Sequence, residues 1–346
     1  MSLDNIDFNK ACRILLHDIL LLEKGDRLLI YIDRSPTEVV AGAVQIFANS
    51  VGIETEVLQL KGYNNLSDMT QALCDRIATG NFNAIIESSD QYFYLTPVWG
   101  QAIKRGCRLF CTGALNTDAF IRCIGKVNRE QLADFGGVLY QLILSARRVK
   151  LESSAGTHLT FRMNTGSLPG RIMTKLKMTT MSTVWPPTGD LSSKSDATFL
   201  GGQLSFQGIT DTIEGTAVID GFMWPPGDVG LLTEPIILHI EHGRVVRIDG
   251  DSVKSGILNQ WLQGKEKTIE HFCIGFNPGA RISDNLVESE RAYGHLNIGL
   301  GKYPFHTDGV IRNPLLTING NVLMQNNTFV HKKLFALGKK LRSIID

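Results

Sequence analysis

Near the end of the chain, His306 and Asp308 lie two residues apart in a His-Thr-Asp sequence, and both side chains can bind a metal ion. On an extended strand, residues i and i+2 point to the same face, so this spacing places an imidazole beside a carboxylate. With the nearby acid Glu270, these donors suit Zn, Mn, Fe or Co rather than a thiolate-bound metal. The same spacing also fits a surface turn in which Asp308 bonds its own backbone ahead of Gly309. Spacing alone leaves both interpretations open.

The stretch 269–308, which ends at this pair, is rich in acids, histidines, amides and glycines. Glycines let backbones bend and approach each other closely. We therefore expect the functional site in this stretch.

The first part of the chain, residues 1–147, alternates buried apolar runs with segments of helical period. The apolar runs that predict strands are 27–32, 54–60, 83–87 and 108–112. Strands separated by helices of this kind predict a parallel sheet covered by helices, a Rossmann-like α/β domain. The loops after these strands contain neither Gly-x-Gly-x-x-Gly nor a Walker sequence, which argues against a dinucleotide site.

The second part, residues 148–346, has a different pattern. Its strand signals are short alternating runs separated by Gly and Pro, which predict an α+β domain with a mostly antiparallel sheet. We interpret residues 173–199 as a long loop, of the kind that often forms a lid. The candidate metal residues all belong to this second domain.

The composition narrows the class of protein. The chain has 346 residues, 43% of them hydrophobic and 20% charged, with a formal net charge of +1. This balance predicts a folded protein and argues against nucleic-acid or membrane-surface binding. The six cysteines include no Cys-x-x-Cys pair, and the N-terminal sequence does not resemble a signal peptide. We expect a cytoplasmic protein with reduced thiols.

The order of these signals resembles the thermophilic-type metallo-aminopeptidases of the aminopeptidase S and T group. The segments that carry the resemblance are EGTAVIDG (214–221), EPIIL (234–238), EHFCIGFNP (270–278), 294–301 and HTDG (306–309). The resemblance extends over nearly the whole chain and implies an aminopeptidase T-like fold. An iron-dependent dioxygenase that opens 2,5-dihydroxypyridine shares this fold.

The resemblance implies roles for four residues. Glu270 matches the glutamate that bridges two metal ions, and His306 and Asp308 match the group's His-x-Asp ligands. Tyr303 matches a tyrosine that assists catalysis. These matches predict Glu270 and Tyr303 as catalytic residues.

Two further ligands of the group are replaced by amides. A glutamate ligand corresponds to Gln203, and a histidine ligand corresponds to Asn297. An amide carries no net charge, so both replacements weaken a dinuclear site. We expect His295 to be a possible substitute ligand, because it lies two residues from Asn297. We expect His271 to be a poorer one, because it neighbours Glu270 and would point to the opposite face.

Three functions remain open. The first is a peptide-binding protein on a metallo-aminopeptidase scaffold whose dinuclear site is impaired, as the replacements at Gln203 and Asn297 suggest. The second is an enzyme with a single Zn, Mn or Fe ion held by Glu270, His306 and Asp308, which would act as a hydrolase or as an Fe(II) ring-cleaving dioxygenase. The third is an aminopeptidase that keeps two ions. The resemblance also implies a homodimer, and a peptide segment is the expected partner.

Overall fold

The computed structural model describes residues 3–33, 35–63, 65–91, 93–164, 184–191, 196–250, 252–302 and 305–343. The chain divides into two compact units. Unit 1 comprises Met1–Val127 and Thr188–Gly201, and unit 2 comprises Asn128–Pro187 and Gly202–Ile344. The sequence-based boundary after residue 147 stays a prediction. In this division, the helix 129–144 belongs to unit 2.

Unit 1 contains a parallel sheet, as the sequence predicts, with five strands where four were expected. Element labels follow the order of the chain. Its strands are β1 (Arg27–Ile32), β2 (Glu54–Gln59), β3 (Ala84–Ser88), β4 (Arg108–Cys111) and β7 (Ala197–Phe199), in the order β2-β1-β3-β4-β7. Its helices are α1 (Leu3–Arg13), α2 (Ser35–Ser50), α3 (Leu66–Thr79), α4 (Pro97–Lys104) and α5 (Thr117–Phe120). Helical turns at Ile14–Ile19, Phe93–Leu95 and Ile121–Gly125 complete the unit. The central strands β1, β3 and β4 are almost wholly buried, which explains their continuous apolar sequences.

One prediction for this unit was wrong. The sequence 197–199 was assigned to a long loop, yet it forms β7 and pairs with β4 in parallel. Residues 165–183 and 192–195 of the surrounding segment lie outside the described ranges.

A carboxyl group, Glu87 at the end of β3, is buried inside unit 1 and is only 1% exposed. It accepts hydrogen bonds from the Tyr31 hydroxyl, from Trp99 Nε1 at 2.8 Å and from Cys111 Sγ at 3.5 Å. Burial raises the pKa of Glu87 from its ordinary value of 4.5 to about 7. This buried acid therefore titrates near neutral pH.

Unit 2 is built from two antiparallel sheets, as predicted for the second domain. The strands of the eight-stranded sheet are β5 (Arg148–Ser153), β6 (His158–Arg162), β9 (Glu214–Ile219), β12 (Ile236–Glu241), β13 (Arg244–Asp249), β17 (Pro314–Ile318), β18 (Asn321–Gln325) and β19 (Thr328–Phe329). Their order is β13-β12-β9-β6-β5-β17-β18-β19. The strands of the six-stranded sheet are β8 (Gln203–Phe206), β10 (Phe222–Trp224), β11 (Gly230–Leu231), β14 (Ile269–Gly275), β15 (Leu296–Leu300) and β16 (Thr307–Ile311). Their order is β11-β10-β16-β15-β14-β8.

Among the residues that the structure describes, unit 2 has four helices. They are α6 (Arg129–Leu144), α7 (Val253–Trp261), α8 (Leu286–Ser289) and α9 (Lys332–Arg342), and a helical turn lies at Thr210–Thr212. Phe135 of α6 is fully buried against Phe276, Tyr293 and Phe329. Within the described ranges, none of the helices in either unit is long and apolar enough to cross a membrane.

The two sheets of unit 2 share an aromatic core. Phe161 of β6 stacks on Phe272 of β14 with ring centroids 4.4 Å apart, and Phe206 of β8 stacks beside them. These contacts bury one face of the six-stranded sheet. Because side chains alternate along a strand, the neighbouring residues Ser205, His271 and Cys273 belong to the opposite face. That face carries the candidate site.

Candidate metal centre

Three side chains of unit 2 form the candidate metal cluster. His271, His306 and Asp308 each offer a donor atom, and these atoms all lie within 4.8 Å of one another. Nε2 of His271 lies 3.1 Å from Oδ1 of Asp308, and Nε2 of His306 lies 3.1 Å from Oδ2 of the same carboxylate. The two imidazole rings stack with centroids 5.1 Å apart. The His-x-Asp pair is therefore buried at the site and is joined by a second histidine.

The register of three adjacent strands brings His271 to Asp308. His271 of β14 is paired with Gly299 of β15, and Gly299 is paired with Asp308 of β16. A Cβ atom at position 299 would lie 2.6 Å from Nε2 of His271 and 2.7 Å from Oδ1 of Asp308. Since such distances are too short for nonbonded atoms, the absence of a side chain at Gly299 lets the two residues meet across β15.

His306 is held by a backbone carbonyl. Its Nδ1 lies 2.8 Å from the oxygen of Gly301, and because a carbonyl oxygen only accepts, Nδ1 carries the proton. In the neutral ring, Nε2 then presents its lone pair toward Asp308. Metal-binding histidines commonly have their second nitrogen fixed in this way.

The negative charge of Asp308 and the positive charges of the two histidines stabilise one another. Burial alone would raise the pKa of Asp308, yet His306 and His271 hold that pKa well below its usual range. Burial would likewise lower the pKa of His306, but the Asp308 carboxylate outweighs it and raises this pKa. The pKa of His271 is also raised, against burial, by Cys273 and by Asp308. Asp308 is thus ionised. Its carboxylate can pair with two protonated imidazoles, or with a cation that takes the place of their protons.

The structure does not place the predicted residue Glu270 in this cluster. Glu270 lies at an irregularity in the pairing of β14 with β15, between Ile269 and His271. His271, which we expected to be a poorer substitute, is the β14 residue that reaches Asp308. The second predicted catalytic residue, Tyr303, lies outside the described residues.

The amides Gln203 and Asn297 both hydrogen-bond one buried acid, Glu290. Nε2 of Gln203 donates to Oε2 of Glu290 at 3.3 Å, and Nδ2 of Asn297 donates to the backbone oxygen of Glu290 at 2.8 Å. Nη1 of Arg291 also donates to Oε2 of Glu290, at 3.1 Å. Burial, with the charge of Asp308, raises the pKa of Glu290 to about 7. The two amides are thus part of a hydrogen-bond network with Glu290.

His295, the other predicted substitute ligand, lies in a different electrostatic environment. Burial, together with the positive charge of Arg312, lowers its pKa to about 4. His295 is not part of the cluster that His271, His306 and Asp308 form among the described residues.

Sequence reasoning undervalued His271 and missed Glu290. Strand pairing alone could have found His271, because the register of β14, β15 and β16 aligns it with Asp308. Glu290 offered no comparable signal, since in the sequence it is one of several charged residues around α8.

The donor set suits a single divalent ion. Two imidazoles and one carboxylate form the 2-His-1-carboxylate set typical of non-haem Fe(II) oxygenases, and a similar set holds catalytic zinc in some hydrolases. The burial of His306 and Asp308, and the carbonyl that fixes His306, fit such an ion. The side chain of His271 is 20% exposed, so the cluster is accessible at this residue.

The fold of the chain is similar to two solved structures, a dioxygenase and AmpT. The structure of 2,5-dihydroxypyridine dioxygenase from Pseudomonas putida KT2440 matches with a TM-score of 0.70 and 14% identity, covering 97% of this chain and 99% of that one. Wild-type AmpT from Thermus thermophilus matches with a TM-score of 0.60 and 10% identity, covering 94% of this chain and 99% of that one. At these identities, the likeness shows a shared fold. No protein-family model matches the chain. No curated protein matches it either.

Proposed function

We propose that this protein is a non-haem Fe(II) dioxygenase that opens a hydroxylated aromatic ring. The observation that carries the proposal is the grouping of His271, His306 and Asp308 within 4.8 Å. Two imidazoles and one carboxylate leave coordination positions open for a substrate and for oxygen. This was the alternative to peptide recognition in the sequence analysis, with His271 now taking the place of Glu270 as the third ligand.

The environment of Gln203 and Asn297 supports one ion rather than two. Each amide donates its N–H to Glu290, and each can offer a metal only a neutral oxygen. A second ion at these positions would be without the glutamate and histidine that the aminopeptidases supply. The replacements thus fit a different use of the same scaffold, and loss of activity is not needed to explain them.

The similarity to 2,5-dihydroxypyridine dioxygenase supplies the substrate class of the proposal. That protein acts on a dihydroxylated pyridine, and it matches this chain over 97% of its length. Shared fold alone does not determine function. The three side chains support the metal chemistry, and the similarity guides the choice of substrate. We propose small dihydroxylated pyridines or benzenes as substrates.

The residues of the chain have separate roles in this proposal. His271, His306 and Asp308 would hold the iron, which when bound supplies the activation of oxygen. Gly301 keeps the proton of His306 on Nδ1, so that Nε2 is available as a donor. Asp308 stays ionised because its pKa is low, and it balances part of the positive charge at the centre. Gly299 keeps the space between the β14 and β16 ligands open.

Anaerobic loading with Fe(II) tests this proposal. We expect one iron per chain, measured by inductively coupled plasma mass spectrometry, and oxygen uptake when 2,5-dihydroxypyridine or a dihydroxybenzene is added in air. His306→Ala should remove both signals. Iron binding without oxygen uptake on any of these rings would contradict the dioxygenase proposal.

The other interpretations make different predictions in the same experiment. A single-ion hydrolase, which the similarity to AmpT favours, would bind Zn and cleave leucine p-nitroanilide. A peptide-recognition protein would bind no stoichiometric metal. Peptide binding, the homodimer and the cytoplasmic location stay predictions.

A further inference from the structure

We propose that the side-chain oxygen of Asn297 recognises the substrate, by accepting a hydrogen bond from an O–H or N–H group of an uncharged, planar ring. This inference rests on the proposed function, because it assigns the residue that orients the substrate beside the iron. It also narrows the substrate class to rings that carry such a donor.

Strand register places Asn297 next to the metal ligands. Asn297 and Gly299 are two residues apart on β15, so they share the face of the sheet that carries His271 and Asp308. Successive residues on one face of a strand are separated by about 7 Å. A ring bound at the metal centre therefore lies within reach of the Asn297 side chain.

The orientation of the Asn297 amide is fixed. Nδ2 donates to the backbone oxygen of Glu290 at 2.8 Å. Rotating the amide by half a turn would place Oδ1 against that carbonyl, and two acceptors cannot bond each other. Oδ1 is therefore the atom that stays directed away from Glu290.

Oδ1 of Asn297 is buried, and it has no hydrogen-bond partner among the residues that the structure describes. The whole residue is 0% exposed. Buried acceptors are nearly always hydrogen-bonded, because leaving one unpaired is unfavourable. A donor held at the adjacent centre would satisfy this oxygen.

The residues beside Asn297 favour an uncharged ligand. Cys273 is paired with Asn297 on one side and with Ser205 on the other, and Oγ of Ser205 lies 3.1 Å from Sγ of Cys273. This row consists of a hydroxyl, a sulfur and an amide group, all of them polar. The nearby carboxylate of Glu290 already accepts hydrogen bonds from Gln203 and Arg291. A neutral ring with one or two donors fits such a row better than the charged N-terminus of a peptide.

Ligand binding without turnover tests the inference. Wild-type and Asn297→Ala proteins are loaded with Fe(II) under anaerobic conditions and titrated by calorimetry with 2,5-dihydroxypyridine. Two monomethylated probes, 5-hydroxy-2-methoxypyridine and 5-methoxypyridin-2-ol, each lack one donor. We expect Asn297→Ala to weaken binding of 2,5-dihydroxypyridine about tenfold, the usual effect of losing one buried hydrogen bond. The loss should disappear for the probe that lacks the recognised donor.

Two controls separate the possible outcomes. Asn321→Ala removes an exposed asparagine from β18, in the other sheet, and should leave all affinities unchanged. Iron stoichiometry is measured in every variant, so that a failure to bind iron counts against the proposed function. If iron binds normally but Asn297→Ala has no effect, or weakens binding of 2,5-dihydroxypyridine and of both probes equally, Asn297 does not recognise a substrate donor. Wild-type protein that binds iron but none of the probes would also overturn the inference.

Discussion

The imidazole of His271 makes two contacts at the centre, with the carboxylate of Asp308 and with the ring of His306. We expect His271→Ala to lower the affinity for Fe(II) more than about 100-fold, since even residues that only support a ligand contribute 10- to 100-fold. Glu270→Ala should keep one iron per chain, because Glu270 is not in the cluster. Anaerobic equilibrium dialysis measures both affinities. Loss of iron in Glu270→Ala with retention in His271→Ala would restore the ligand set predicted from the sequence.

Part of this site could be predicted from the sequence. The pair His306 and Asp308 depends only on a spacing of two residues, which any strand converts into a shared face. The position of His271 beside Asp308 depends on how three strands pair, and the irregularity between Ile269 and His271 changes which residue faces Asp308. Register of this kind is set by long-range contacts, so a local pattern does not contain it.

The carboxyl of Glu87 gives a prediction for stability. Its pKa is about 7 in the folded protein and 4.5 ordinarily, so its stabilising contribution is complete below about pH 4.5 and is lost as pH rises through 7. A shift of this size corresponds to about 3 kcal/mol. We expect the stability of Glu87→Gln, relative to wild type, to rise by about this amount between pH 4.5 and 8.

Urea denaturation at several pH values measures this difference. Glu54→Gln is the matched control, because it makes the same substitution at an exposed glutamate of β2, in the same sheet as β3. If the free energies of unfolding of wild type and Glu87→Gln change in parallel with pH, Glu87 does not titrate as its burial implies.

At the scale of elements, the alignment of β14, β15 and β16 depends on Gly299. An added methyl group would meet both His271 and Asp308, so we expect Gly299→Ala to separate them and to reduce iron affinity at least tenfold. Gly256→Ala is the matched control, because a Cβ atom there meets nothing within 4 Å and the residue lies in helix α7. Iron titration with circular dichroism separates loss of metal from loss of fold. Equal affinities for Fe(II) in the two variants would show that Gly299 is not needed as a spacer between His271 and Asp308.

The elements differ in how well their sequences predict them. The strands β1, β3 and β4 are recognisable because burial on both faces requires continuous apolar residues. The strand β7 has only three residues, Ala197–Phe199, and too short a pattern to separate it from a loop. Its place beside β4 comes from pairing across the sheet, which no local segment encodes.

For the whole molecule, the order of elements carried the most information. A run of alternating strands and helices followed by short alternating strands predicted both sheet types, and the structure confirms them. The assignment of α6 to one unit or the other depends on packing, such as that of Phe135 against Phe329, which a helical period does not reveal.

Metal binding should also change the stability of the protein as a whole. A ligand that binds only the folded state stabilises it by about 2.7 kcal/mol at a concentration 100 times its Kd. We expect Fe(II) under anaerobic conditions to raise the unfolding temperature of wild type by a few degrees. The shift should be absent in His306→Ala and should reverse when a chelator is added. Differential scanning calorimetry makes this measurement, and an equal shift in both proteins would indicate binding elsewhere.

The three-strand register at Gly299 also limits how this protein can change in length. Deleting or inserting one residue within β15 would turn Gly299 away from the ligands and present the side chain of Ile298 or Leu300 to them instead. Added residues in the connection between β14 and β15, outside the paired strands, would leave that alignment unchanged. Relatives that keep the cluster of His271, His306 and Asp308 should therefore vary in the lengths of their connecting loops and hardly at all in the lengths of these strands.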